Sequence, residues 1–113
     1  MILFRQPTDL DTFENVFQDF LALVERMPNI LRRQVVHITS SPQGIPQYYR
    51  ILELYFDSPE MQQEALTSTI GQEAGAELKR LPEDATELLF ADVYEEGGGS
   101  TLDNPDAKSD EED

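Results

Sequence analysis

Apolar positions recur along this chain with a period that switches between two and about 3.6, and each switch marks an element. Met1 to Arg5 is a short apolar run ended by Gln6-Pro7, the pattern of a strand buried on both faces. Leu10, Phe13, Val16, Phe17, Phe20, Leu21, Val24 and Met27 then fall on one stripe of an α-helix. Thr8, Asp9 and Asp11 offer side-chain oxygens to its first free amides and negative charge to its positive end. Pro28 pushes Met27 out of helical geometry and stops it. Arg33 to Thr39 is β-branched and reads as a second strand, and the breakers of Ser40 to Pro46 end it. Tyr48 to Phe56 is apolar or aromatic at seven of nine positions and forms the third, hairpinned to the second.

Asp57-Ser58-Pro59-Glu60 opens a short helix through Leu66, with Ser58 as cap and Pro59 where a missing N–H costs nothing. Thr69-Ile70-Gly71-Gln72 fits a capping box and opens a second stretch carrying Ile70, Ala74, Leu78 and Leu81 on one face. Glu87 to Tyr94 is the fourth strand. The order β-α-β-β-α-β is that of the ferredoxin-like α+β fold, a four-stranded antiparallel sheet with helices on one face. In the third strand Tyr48, Leu52, Leu54 and Phe56 share one parity and Ile51 and Tyr55 the other, so both sheet faces are apolar. A contiguous apolar patch of several hundred Å² is unusual on a monomer, so a second copy is expected to cover the open face, giving a homodimer.

Composition changes the picture at Glu96. From Gly97 to Asp113 the only large apolar residue is Leu102, so residues 1–96 are expected to form one domain and 97–113 a disordered acidic tail. The chain of 113 residues has 23 Asp and Glu against 8 Lys and Arg, a net charge of −15, of which the tail carries −5 and the body −10. Nucleic acid is a poor partner for such a surface, since phosphate binding draws on Lys and Arg, and anionic membranes are disfavoured for the same reason. There is no Cys and one His, which excludes disulfides, thiolate nucleophiles and multi-histidine metal sites. The apolar start is too short for a signal peptide or a span, so a soluble cytoplasmic protein is expected.

His37 is the one side chain whose unperturbed pKa lies near neutrality and is the first candidate general acid or base. Its surroundings depend on hairpin register. Opposite Tyr49 it would be a cavity imidazole, with Val35 facing Ile51 and Arg33 facing Glu53; opposite Arg50 it would be a rim residue. Glu53, between Leu52 and Leu54, is the second candidate, because an unpaired carboxylate there would be desolvated; an ion pair with Arg33 or Arg32 is the structural alternative. Tyr48, Tyr49, Tyr55 and Tyr94 could bond a ligand oxygen and present ring faces to an apolar compound, or simply pack. The acids Asp11, Glu14, Asp19, Glu25, Glu60, Glu64, Glu73 and Glu77 read as solvated helix faces rather than metal ligands. Gly71-Gln72-Glu73-Ala74-Gly75 lacks the Lys of a phosphate loop, and helix packing accounts for its small residues.

The chain resembles the EthD-like family of dimeric α/β-barrel proteins over residues 1 to about 95. The likeness lies in the order and spacing of Met1-Ile2-Leu3-Phe4 with Gln6-Pro7-Thr8-Asp9 and Phe13, Leu23-Val24-Glu25-Arg26-Met27-Pro28, Tyr48 to Ser58, Gly71-Gln72, and Leu89-Phe90-Ala91-Asp92-Val93. The resemblance implies a homodimer with a cavity between sheet and helices in each subunit, here lined by Phe17, Phe20, Tyr49, Ile51 and Tyr55. The superfamily includes cofactor-independent monooxygenases, isomerases and members of no known activity, some linked to degradation of small compounds such as ether fuel additives. The expectation is an oxidoreductase or isomerase acting on a small apolar or aromatic compound, without bound cofactor or metal, in which His37 or Glu53 moves a proton. The alternative is a non-catalytic ligand-binding, accessory or scaffold dimer. Family members commonly carry a His late in the first helix; this chain has Phe17-Gln18-Asp19-Phe20-Leu21 there, so that site does not carry over.

Overall fold

The computed structural model describes residues 1–94; the tail expected from Gly97 onward lies outside them. The elements are β1 (Ile2–Arg5), α1 (Leu10–Val24), β2 (Arg32–His37), β3 (Tyr48–Tyr55), α2 (Pro59–Thr67), α3 (Thr69–Leu78) and β4 (Thr86–Leu88). The fold is ferredoxin-like, one antiparallel sheet in the order β2-β3-β1-β4 with three helices on one face. The fourth strand is shorter than expected. Its ladder with β1 ends at Leu88, and Leu89–Tyr94 runs on without strand geometry, because β1 begins at Ile2 and offers that stretch no further partner.

Local chemistry sets the helix ends. Asp9 caps α1, accepting from Thr12 N–H at 3.2 Å and from its hydroxyl at 2.9 Å. Ser58 caps α2, as its place before Pro59 predicts. The cap of α3 is Ser68, one residue before the expected Thr69: its hydroxyl accepts from Gly71 N–H at 3.0 Å. There α2 and α3 meet so closely that a Cβ on Gly71 would lie 2.1 Å from Ala65 O. After α1 the chain turns at Asn29 (φ 70°), whose amide donates to Met61 O at 3.0 Å and Glu64 Oε1 at 3.1 Å and so ties the turn to α2.

The core lies between sheet and helices. Phe4 is fully buried, with the rings of Phe13, Phe17 and Phe20 edge-on to it at centroid distances of 5.5, 5.3 and 6.3 Å. Val16, Val24, Leu52, Ala65 and Ala74 complete the layer. The opposite face presents Leu3 and, beside it, the half-buried Ile51 and Val36.

Register decides what else each face carries. Ile2 pairs with Leu52 and Phe4 with Arg50, but Arg5 pairs with Tyr48, an irregularity that leaves one extra residue in β3. The extra residue reverses parity. Tyr48 therefore stands on the open face with Arg5, not with Leu52 as its sequence position suggests, while Tyr49 packs edge-on against Phe13 of α1 at 5.5 Å.

Candidate functional site

Of the two registers open to the hairpin, the structure has the one that places His37 against Arg50, with Val35 against Leu52 and Gln34 against Glu53. His37 is an exposed residue at the rim of the helix-covered face. Arg33 consequently pairs with Glu25 at the end of α1, at 3.3 Å, and not with Glu53. Arg32 lies over the Tyr55 ring at 4.8 Å, so neither arginine forms the ion pair with Glu53 weighed above.

Arg50, behind His37, is the group the sequence reading passed over. It is 5% exposed, and its two terminal nitrogens donate to the two Glu14 carboxylate oxygens at 2.8 and 2.9 Å, the fork geometry in which Arg–carboxylate pairs are strongest. Its guanidinium carbon lies 4.7 Å from the Phe17 ring centroid, 5.1 Å from Tyr49 and 5.2 Å from Phe13. The cation thus sits in an aromatic cage whose outer side is Glu14. The hydrogen bonds from Arg50, and its charge, hold the Glu14 carboxyl below its ordinary range, with His37 adding a smaller pull in the same direction. The third nitrogen, Nε, is buried and has no hydrogen-bond partner. A buried donor left unpaired is costly, and this one lies where α1, β2 and β3 converge.

The expected cavity lining divides in three. Phe17 and Phe20 are each 3% exposed and packed on Phe4; they fill the space between sheet and helices instead of lining a void. Tyr49 belongs to the Arg50 cage. Ile51, Glu53 and Tyr55 point to the opposite face, because β3 alternates and Leu52 between them is buried against the helices. His37 and Glu53 therefore do not share a site.

Glu53 and Tyr55 border a second feature, an open cleft of about 610 Å³ between the end of β3 and the Leu89–Tyr94 segment. The Tyr55 hydroxyl donates to Glu53 Oε1 at 2.7 Å, and this bond raises the Tyr55 pKa. At the other end of the open face Tyr48 makes the same bond to Glu87 at 2.6 Å, with the same effect. Among the described residues no group of three or more His, Asp or Glu could hold a metal ion, and no helix is long and apolar enough to cross a membrane.

No protein-family model matches the sequence. Over 92 residues the chain is 26% identical to an uncharacterised 11.0 kDa protein of Rhodococcus erythropolis encoded between thcB and thcC, covering 80% of this chain and 89% of that protein. Among solved structures it is similar to an ethyl tert-butyl ether (EthD) family protein of Bacillus halodurans, with a TM-score of 0.77, 26% identity, and coverage of 82% of this chain and 94% of that one. It is also similar to a protein of Caulobacter crescentus assigned to the antibiotic biosynthesis monooxygenases, with a TM-score of 0.55, 28% identity, and coverage of 83% and 85%.

Proposed function

Since the chain is an EthD-like protein of ferredoxin-like fold, we propose that it is a cytoplasmic homodimer handling a small apolar or aromatic compound beside His37, where β2, β3 and α1 meet. The chemistry is of cofactor-independent monooxygenase or isomerase type. Both begin by removing a proton from a phenolic or enolisable compound. His37 at the rim is the base, and the resulting oxyanion takes the free Nε–H of Arg50, with the Phe13, Phe17 and Tyr49 rings beside it. An isomerase returns the proton at another carbon. In a monooxygenase the anion passes electrons to dioxygen and a C–O bond forms at the deprotonated carbon; O–O cleavage then leaves one oxygen as the product carbonyl and releases the other, with the two protons lost from that carbon, as water. The buried, unpartnered Nε carries this reading, because it is a donor without an acceptor behind the His37 rim, which a ligand oxygen reaches when the side chains packed around the guanidinium move aside. The dimer rests on the apolar Leu3, Val36 and Ile51 of the open sheet face.

His37→Gln and Arg50→Lys, assayed on a panel of phenols, quinols and ethers, are expected to lower kcat/KM by about a hundredfold or more, as loss of a general base does, with thermal unfolding confirming a folded protein. Unchanged turnover in folded His37→Gln and Arg50→Lys overturns the catalytic reading. A non-catalytic ligand-binding or accessory dimer would then stand, a reading favoured by the Phe4, Phe13, Phe17 and Phe20 packing that fills the interior. Sedimentation tests the dimer: two bodies of −10 each repel, so association should strengthen as salt screens them.

A further inference from the structure

The cleft beside Glu53 runs along a free length of strand edge. β3 extends to Tyr55, but β1 first pairs with it at Ile2, opposite Leu52. Two positions further along β3 there is no neighbour on that side. Tyr55 O is turned the other way, accepting from Leu31 N–H at 2.9 Å, so the alternation of an antiparallel ladder turns the N–H and C=O of Leu54 into the gap. Beyond β1 the opposite wall is the chain after β4. Leu89 N–H donates to Met1 O at 2.9 Å and Leu89 O accepts from the Met1 ammonium at 2.6 Å, and Phe90 to Tyr94 line the gap beyond it. Neighbouring strands stand about 4.8 Å apart. At about 3.3 Å of length and 10 Å of sheet thickness per residue, the volume of about 610 Å³ holds an extended segment of roughly four residues.

We propose that this gap binds an extended, cationic peptide segment of a partner protein, which adds to the sheet by main-chain hydrogen bonding along the free Leu54 edge of β3. Charge selects the occupant. Glu53, Asp57 and Asp92 border the gap, against the single Met1 α-ammonium held on Leu89 O, so its lining keeps an excess of negative charge. Alternation in the inserted strand puts every second side chain near Glu53 and Tyr55 and the others toward Leu54 and Phe56, so a basic-apolar repeat fits and an acidic one does not.

The probe is the fluorescein-labelled pentapeptide Val-Arg-Val-Lys-Val, acetylated and amidated, titrated against the full chain by fluorescence anisotropy and by amide resonances. Binding with a shift of the Leu54 amide is expected. A twin N-methylated at its three central residues keeps the charge but loses donors, and should bind about tenfold weaker, the loss expected for one or two strand hydrogen bonds. Glu53→Lys combined with Asp57→Lys should weaken the parent peptide by at least as much, and a Val-Glu-Val-Glu-Val peptide should not bind. Equal binding of the N-methylated twin overturns the proposal, since general attraction to an acidic protein would explain it. Absence of binding at about 1 mM also overturns it. Protection of the Leu54 amide that grows with protein concentration, without peptide, assigns the gap to a second copy instead.

Discussion

Replacing Glu14 by Gln removes the one carboxylate that pairs with the Arg50 fork among the described residues and leaves a guanidinium with 6% side-chain exposure facing a neutral amide. Breaking a fully buried pair by removing one partner costs about 3–5 kcal/mol, whereas exposed pairs are worth about 0.2–1 kcal/mol. Glu14 itself is 36% exposed, so water screens part of the interaction and the expected cost lies between these ranges, at about 2 kcal/mol. For a domain of this size that lowers Tm by about 10 °C. The effect has a pH signature. Arg50 depresses the Glu14 pKa in the folded protein, so its stabilisation is fully present above the unfolded-state value, near 4.5, and is lost as pH falls through the lower folded value. Urea unfolding of wild type and Glu14→Gln at pH 7, 5 and 3.5 should show a constant gap at the first two and a narrower one at the third. Every other acid titrates in both proteins, so the difference isolates this pair. A gap that does not change down to pH 3.5, or one below about 0.5 kcal/mol at pH 7, refutes the account, the second because it equals a fully solvated pair.

Phe4→Ala empties the centre of the aromatic cluster and should cost about 3–5 kcal/mol in urea unfolding; a loss under about 1 kcal/mol would mean that the three remaining rings repack. Gly71→Ala puts a methyl against the Ala65 carbonyl at 2.1 Å, so α2 and α3 must separate, and a drop in Tm is expected where Gly75→Ala, with nothing within 4 Å, should raise or preserve it. Tyr55 loses its proton late because that proton is held in the hydrogen bond to Glu53, with repulsion between the two negative charges adding to it, so Glu53→Gln should bring its ultraviolet titration to lower pH; an unmoved curve would show that the Tyr55–Glu53 bond does not persist in solution.

Much of the fold was legible because each element rests on local chemistry: the α1 stripe, the Ser58-Pro59 start and the breakers after His37 all act within a few residues. Misreadings arose where the outcome depends on a partner strand. Tyr48 follows parity in the sequence and breaks it in the sheet, since the extra residue in β3 is fixed by pairing with β1. Glu87 to Tyr94 has strand composition throughout, yet β1 is too short to pair with all of it. For the site, His37 was visible as a lone imidazole, but its register was not. Arg50 offered a signal that went unused: a charged residue in the most apolar strand, in phase with buried Leu52, must have a counter-ion, and Glu14 lies on the helix that covers that face.

The irregularity between Phe4 and Arg5 also bears on how this sheet can be altered. It cuts β3 into two lengths that obey opposite side-chain rules, so a one-residue deletion at Gln47, before the irregularity, would be absorbed in the loop. A deletion at Ile51, past it, would instead send Arg50 and Leu52 to opposite faces. Insertions and deletions in homologues should therefore gather on the loop side of Tyr48 and be rare between Arg50 and Tyr55, and a library that varies hairpin length there can keep the Arg50 cage unchanged.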